Sequence, residues 1–238
     1  MSTKNIPTPR QVLAIGAHPD DIEFGAGSTL AKWSADGCIV NLLICTDGSK
    51  GTWDPLTDIR ELIETRKLEQ LEAAKQLPVE GKVFFLGCTD GELEVNTSLR
   101  SRITRIIREL KPDVLLGHDP WKPYRLHPDH RAAGFLTIEA LVAARDPHFF
   151  PEQALDAHRP KELLLFEANE IDHFEECKGF EINKINALLR HESQFKSTMN
   201  IDPNDTKSGI EEFKELVLEG LSHSDFPTAE AFKRITEL

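Results

Sequence analysis

Short apolar runs alternate along this chain with segments of helical periodicity. Val12-Leu13-Ala14-Ile15 has no polar break and ends at Gly16-Ala17-His18-Pro19. A strand that is apolar at every position is buried on both faces, as in a parallel sheet. Residues 26–35 read as a helix closed by Asp36-Gly37, and 38–45, rich in Ile, Val and Leu, as a second strand. Thr46-Asp47-Gly48-Ser49-Lys50-Gly51 is a glycine-rich loop. Residues 59–77 carry helical spacing through Leu62, Arg66, Leu68, Ala73 and Leu77, and 82–86 form a third strand.

Asn96 or Thr97 can cap a helix running to Leu110, which Pro112-Asp113 ends. Val114-Leu115-Leu116 is a fourth strand. Residues 128–145 form a helix with Pro128 in its first turn, and 162–166 a fifth strand. This order predicts an α/β fold: a Rossmann-like, predominantly parallel sheet with helices on both faces. After Phe166 the pattern weakens. Residues 180–191, 211–220 and the last few residues read as helices. The expected organisation is one α/β domain over 1–238, with a core at about 10–195 and a C-terminal helical extension. Residues 145–160, with three prolines and Phe149-Phe150, read as a long surface loop, a lid or a subunit contact. That loop and the C-terminal helices could make contacts in a homo-oligomer.

Charge narrows the partners. A net charge of −12, without a basic run, argues against binding nucleic acid through its phosphates. No apolar run approaches the ~20 residues of a membrane-spanning helix. Met1 to Arg10 lacks the apolar stretch of a signal peptide, so a cytoplasmic location is expected. Cys38, Cys45, Cys88 and Cys177 form no C-x-x-C pair and read as buried free thiols, with a nucleophilic cysteine as the alternative.

Ligands in open α/β sheets bind beyond the carboxyl ends of the strands. After the first strand come His18, Asp20 and Asp21; after the third, Asp90; after the fourth, His118, Asp119, His127, Asp129 and His130. His18-Pro19-Asp20-Asp21 either caps the following helix or converges on a cation. His127-Pro128-Asp129-His130 offers the same pair of readings. Two His-Pro-Asp clusters at the ends of two strands are hard to explain as capping alone, and together they read as one metal site. Arg66 is either a solvated helix residue paired with Glu69 or Gln70, or a fork for substrate oxygens. Asp90 and Asp47 are turn residues or ligand contacts. His118-Asp119 either supports the site or caps its loop. Trp121, Tyr124 and Arg125 either pack that loop or select substrate. His191 either reaches the pocket rim or lies on a helix surface.

Ala17-His18-Pro19-Asp20-Asp21 and His127-Pro128-Asp129-His130 resemble the two signature motifs of the PIG-L/LmbE-like family of zinc-dependent N-acetylglucosaminyl deacetylases. Thr46-Asp47-Gly48, Arg66 with Glu69, Asp90-Gly91 and His191 with Ser193-Gln194 add to the likeness, which spans residues 12–195. Where the commonest motif continues with Glu after the two aspartates, this chain has Ile22 and then Glu23. The resemblance implies an LmbE-like fold and hydrolysis of an acetyl group from a small N-acetylated sugar conjugate. It implies His18, Asp21 and His130 as zinc ligands, Asp20 as general base and His127 as oxyanion stabiliser. Arg66 and Asp90 would contact substrate, and Asp129 would orient a histidine from outside the ligand set. A His₂Asp site would also accept iron(II) or another divalent ion. Residues 119–126 and 145–160 would set the acceptor.

Three readings compete with that reaction: hydrolysis of a different amide, a metal- and sugar-binding module without turnover, and a nucleotide-dependent enzyme. The first turn lacks G-x-G-x-x-G and puts two acids where a pyrophosphate would sit, which disfavours the last.

Overall fold

The structure is a computed structural model and describes residues 2–78, 80–223 and 225–238. Its eight strands are β1 (Thr3–Lys4), β2 (Gln11–Gly16), β3 (Ile39–Thr46), β4 (Val83–Cys88), β5 (Val114–His118), β6 (Glu162–Phe166), β7 (His173–Glu176) and β8 (Ala229–Ile235). The helices are α1 (Asp21–Ala35), α2 (Ile59–Gln76), α3 (Thr97–Leu110), α4 (Pro128–Arg145), α5 (Glu181–Leu188) and α6 (Thr206–Gly220). Together the strands make one sheet in the order β1-β7-β8-β6-β5-β2-β3-β4.

The five central strands are parallel, as the apolar runs predict. Alternate residues of β2 serve two cores. Leu13 and Ile15 pack with Ile103 and Ile107 of α3 and Leu136 and Ala140 of α4. Val12 and Ala14 pack with Ile22, Ala26 and Leu30 of α1. A strand completely buried on both sides tolerates no polar side chain without a partner, which is why it reads as a continuous apolar run. From β2 the chain steps outward to β3 and β4, then returns to place β5 on the other side of β2. The crevice between the ends of β2 and β5 is therefore the topological switch point, where ligands of such sheets bind.

Three expectations fail. The C-terminal residues form a strand, β8, antiparallel to β6 and β7, where the pattern suggested a helix. Its Glu230 accepts hydrogen bonds from the Ser28 and Thr29 amides of α1 at 3.1 and 2.7 Å. Lys184 donates to Phe24 O at 2.6 Å and to Glu230 at 2.7 Å. These long-range bonds fix the element, and no local pattern encodes them. Helix α1 starts at Asp21, five residues before the expected start, because its first turn is built from the site's acids. In α2, Leu68 is exposed, and the inward face is Leu62, Arg66, Gln70 and Ala73.

Residues 145–160 do not form a lid. Arg108, completely buried, donates to the carbonyls of Ala143, Asp146 and Phe149 at 2.8–3.0 Å and to Gln153 at 3.2 Å. Those bonds pin the segment where α3 and α4 end. His158 N–H joins Ala144 O, and Lys161 N–H joins Asp113 O just before β5. The segment thus lies at the amino ends of the strands, on the rim opposite the crevice, and cannot contact a substrate there. Among the described residues no helix is long and apolar enough to cross a membrane.

Candidate active site

At the end of β2 the chain turns sharply through His18-Pro19-Asp20 into α1. Asp20 has φ 102°, a left-handed conformation that costs an L-residue energy and persists only where its surroundings hold it. Its carboxylate makes no capping bond to α1 and is free to face the crevice. Arg66, 3 % exposed, braces this turn. It donates to Pro19 O at 2.6 Å, Asp20 Oδ2 at 3.2 Å and Gly48 O at 3.0 Å. Gly48, at φ 67°, and Gly51 leave room for that guanidinium. A Cβ on either would come within 2.7 Å of it.

Asp21 is the centre of the cluster. Its Oδ2 accepts from the His18 amide at 2.7 Å and lies 3.3 Å from His18 Nδ1 and 3.2 Å from His118 Nε2. Its Oδ1 lies 3.3 Å from His130 Nε2. Burial opposes its charge, but His118, His130 and His18 hold its carboxyl well below the usual range. Next to it, Asp20 behaves oppositely. Burial raises its pKa to about 7, with Asp21 adding to the rise and Arg66 only partly offsetting it.

His18 Nε2 faces two further carboxylates, Asp129 Oδ2 and Asp90 Oδ1, each at 3.1 Å. Burial works against the charged imidazole, yet Asp21, Asp129 and Asp90 together raise its pKa well above the ordinary value. Asp129 is completely buried and also accepts the Gly91 and Leu93 amides at 2.6 and 3.1 Å. Asp90 accepts the Lys50 amide at 3.0 Å. The histidine that Asp129 faces is thus His18, across the crevice, rather than either neighbour in its own motif.

His127 is the residue before α4 and stands at the rim. The Asp129 amide donates to its Nδ1 at 3.3 Å, which leaves Nε2 to carry the proton of the neutral ring. Burial and the nearby His18 and His130 rings lower its pKa.

The structure brings the eight sequence-predicted site residues to one place. His18, Asp20, Asp21, Arg66, Asp90, His127 and His130 line a cavity of about 450 Å³, with Asp129 directly behind His18. It also draws in two groups the sequence left open or missed. His118 is completely buried, stacks on His130 at 4.4 Å and bridges Asp21 to Glu167, whose Oε2 lies 3.0 Å from its Nδ1. Glu167 was missed. Burial disfavours its charge, but His118 and Arg125 lower its pKa to about 2, and Arg125 donates to it at 2.6 Å. It directly follows β6, so the strand-end rule that found the other residues would have found it.

Other candidates resolve as supports. Asp119 accepts the Trp121 and Asn169 amides and closes its loop. Asp47 accepts the Ser49 and Asp90 amides and shapes its turn. Glu69 accepts the Ser193 amide and hydroxyl and does not pair with Arg66. His191 is completely buried and lies on no surface. Trp121 packs edge-on against Phe135, while Tyr124 is almost fully exposed. Burial pushes the thiols of Cys38, Cys45 and Cys177 up, which makes them poor nucleophiles.

Among the described residues three groups of donors are spaced for a cation: His18, His127 and His130; His18, Asp90, His127 and Asp129; and Asp21, His118 and His130, each set within 4.8 Å. Imidazoles converging on a buried carboxylate are the donor types that a divalent transition metal prefers. The cluster can hold a metal.

A histidine and carboxylate cluster at the switch point of a parallel sheet is the arrangement of an α/β enzyme. The chain belongs to the PIG-L family, whose profile, described as GlcNAc-PI de-N-acetylase, matches residues 13–141. Membership makes it an enzyme of the deacetylase class. A diacetylchitobiose deacetylase from Thermococcus kodakarensis is 37 % identical over 189 residues, 78 % of this chain and 70 % of that one. A 1D-myo-inositol 2-acetamido-2-deoxy-α-D-glucopyranoside deacetylase from Streptomyces scabiei is 29 % identical over 72 % of this chain, which spans only 59 % of that relative. The structure of N,N′-diacetylchitobiose deacetylase from Pyrococcus horikoshii, in complex with an inhibitor, superposes with a TM-score of 0.84. It is 30 % identical and covers 96 % of this chain and 84 % of its own.

Proposed function

We propose that this protein removes the acetyl group from the 2-acetamido group of a small N-acetylated sugar conjugate, using a divalent metal, with zinc the first choice. The observation that carries the reading is the contrast between neighbours. Asp21 is held ionised among three imidazoles, while Asp20, one residue earlier, has a pKa near 7 and a carboxylate that makes no capping bond to α1. Two carboxylates pushed apart in this way suit two roles, ligand and base. Names of two relatives support the substrate class: one is a diacetylchitobiose deacetylase, the other acts on an inositol-linked acetamido sugar.

His18, Asp21 and His130 would hold the metal, and His118 lies close enough to Asp21 to orient it. Asp129 would fix the His18 ring by accepting from Nε2, leaving Nδ1 for the metal. A bound metal supplies Lewis acidity, which polarises an amide carbonyl and acidifies water. Asp20 takes the proton of the attacking water, and Arg66 keeps its carboxylate turned to the cavity. His127 donates Nε2–H to the oxygen that gains charge. Because its pKa is lowered, it acts as a neutral donor and does not need to be an imidazolium. The proton on Asp20 is then available to the leaving amine. Lys50 and Asp90, which also line the cavity, would meet sugar hydroxyls.

The test is acetate release from N-acetylglucosamine, its β-linked disaccharide and an inositol glycoside, with metal-stripped and zinc- or iron(II)-reloaded protein. Release that appears only on reloading is expected, and the preferred acceptor identifies the conjugate. No release from any of these with one metal equivalent bound would overturn the reading.

A further inference from the structure

Behind Asp20, away from the cavity, lies a buried polar chain that no step of the reaction uses. The Asp20 amide donates to Gln70 Oε1 at 3.1 Å, and Gln70 Nε2 donates to Glu23 Oε1 at 2.6 Å. Gln70 and Glu23 are both completely buried. Gln70 sits four residues after Arg66 on α2, one turn further along the same face. The two side chains grip the same turn from one helix, Arg66 by the Pro19 carbonyl and Asp20 carboxylate, Gln70 by the Asp20 amide.

Each contact has a physical consequence. At φ 102° the Asp20 amide is buried and donates to Gln70 on α2. Without Gln70 it would be a buried donor lacking an acceptor, and the turn would relax toward an ordinary conformation. A glutamine amide has two orientations, and only one presents oxygen to Asp20. Glu23 selects it in its ionised form, because a carboxylate oxygen 2.6 Å away can only accept and so takes the NH₂ group; burial raises the Glu23 pKa to about 7, so the selection is complete above that pH. The far side of Glu23 does not compete. Among the described residues its Oε2 has no hydrogen-bond partner, and His191 Nε2 is 3.9 Å off.

We infer that Gln70, its amide orientation locked by Glu23, is a positioning residue that holds Asp20 in its left-handed turn and so aims the carboxylate at the cavity. This rests on the reading of Asp20 as base. It also explains what Glu23 does in a chain that has Ile22 after the two aspartates: the acid stands two residues beyond Asp21, faces α2 and not the cavity, and acts through Gln70.

The experiment uses five variants of the full chain and two readouts. In ¹⁵N-labelled, metal-free protein the Asp20 amide resonance of Gln70→Leu should move upfield and lose exchange protection. After metal loading its kcat should fall about 100-fold, with KM and bound metal unchanged, since a small misplacement of a reacting group carries such a penalty. Gln70→Glu should lose activity too, because it sets two carboxyl groups against each other. The exchange Gln70→Glu with Glu23→Gln restores a donor facing an acceptor in the reverse sense, and should recover most of the lost kcat and the amide resonance. In an Asp20→Asn background, Gln70→Leu should lower turnover no further. An unmoved Asp20 amide in Gln70→Leu, or a double exchange no better than Gln70→Glu alone, overturns the inference. The amide resonance is read without metal or turnover, so it decides the clamp separately from the role of Asp20. Full turnover in Asp20→Asn alone would instead overturn the base.

Discussion

The molecule contains His-Pro-Asp twice, and the two copies do opposite work. In the first, His18 is buried, Asp20 adopts a left-handed conformation and its carboxylate makes no bond to a backbone amide. In the second, Pro128 opens α4 in regular geometry, and His127 at the rim accepts an amide hydrogen bond. The aspartates differ most. Burial and Asp21 push Asp20 up to about 7. Burial opposes the charge on Asp129 also, but His18 and the Gly91 and Leu93 amides hold its carboxyl below the usual range. A carboxylate saturated with donors is a fixed anion suited to orienting a ring, while a buried one that accepts only from Arg66 can exchange a proton near neutrality. Identical tripeptides thus acquire different chemistry from what the fold points at them.

The comparison can be broken most sharply at its aspartates. Asp20→Asn should keep its metal and lose about a thousandfold in kcat, the usual range for removing a general base. Asp129→Asn should show the reverse pattern, with a metal affinity weakened about 10- to 100-fold and kcat largely restored by excess metal. Metal titration and saturating kinetics on both variants check this, and equal behaviour would erase the distinction. A smaller effect belongs to His127→Ala, about a hundredfold in kcat with metal content intact, as for the loss of one oxyanion donor. In the wild-type protein the rate should not fall as pH rises through 6.5, because the donor proposed is the neutral His127 ring.

The smallest effect lies behind the first cluster. Burial, with Arg66 adding to it, lowers His191 to about 3. The unfolded chain takes up that proton near pH 6.5 and the folded one only near 3, so this contribution to stability is complete above about 6.5 and is lost progressively as pH falls toward 3. Metal-free His191→Phe should therefore gain on the wild type in melting temperature between pH 7 and pH 5. A constant difference across that range would mean that His191 is not held neutral.

Much of this was legible in the chain. The β2 run, apolar at every position, could only be a strand buried on both faces, and the structure places it there, completely buried from Val12 to Ile15. Strand ends then located both His-Pro-Asp clusters on one rim. The same rule stopped one strand short of Glu167. Arg66 and Leu68 mark a different limit. Periodicity could not tell that the polar residue faces inward and the apolar one outward, because the inward face of α2 meets a site and not a core.

Local order determined the central parallel strands, most of the helices and the candidate site residues, because the 2- and 3.6-residue periods and strand-end polarity are properties of adjacent residues. Tertiary structure decided the rest. Residues 229–235 became a strand because Glu230 must reach the α1 amides some 200 positions earlier in the chain. Which aspartate carries a raised pKa depends on burial and on two remote amides that bond Asp129 and not Asp20, and burial and charge at a point are set by residues that only folding makes neighbours.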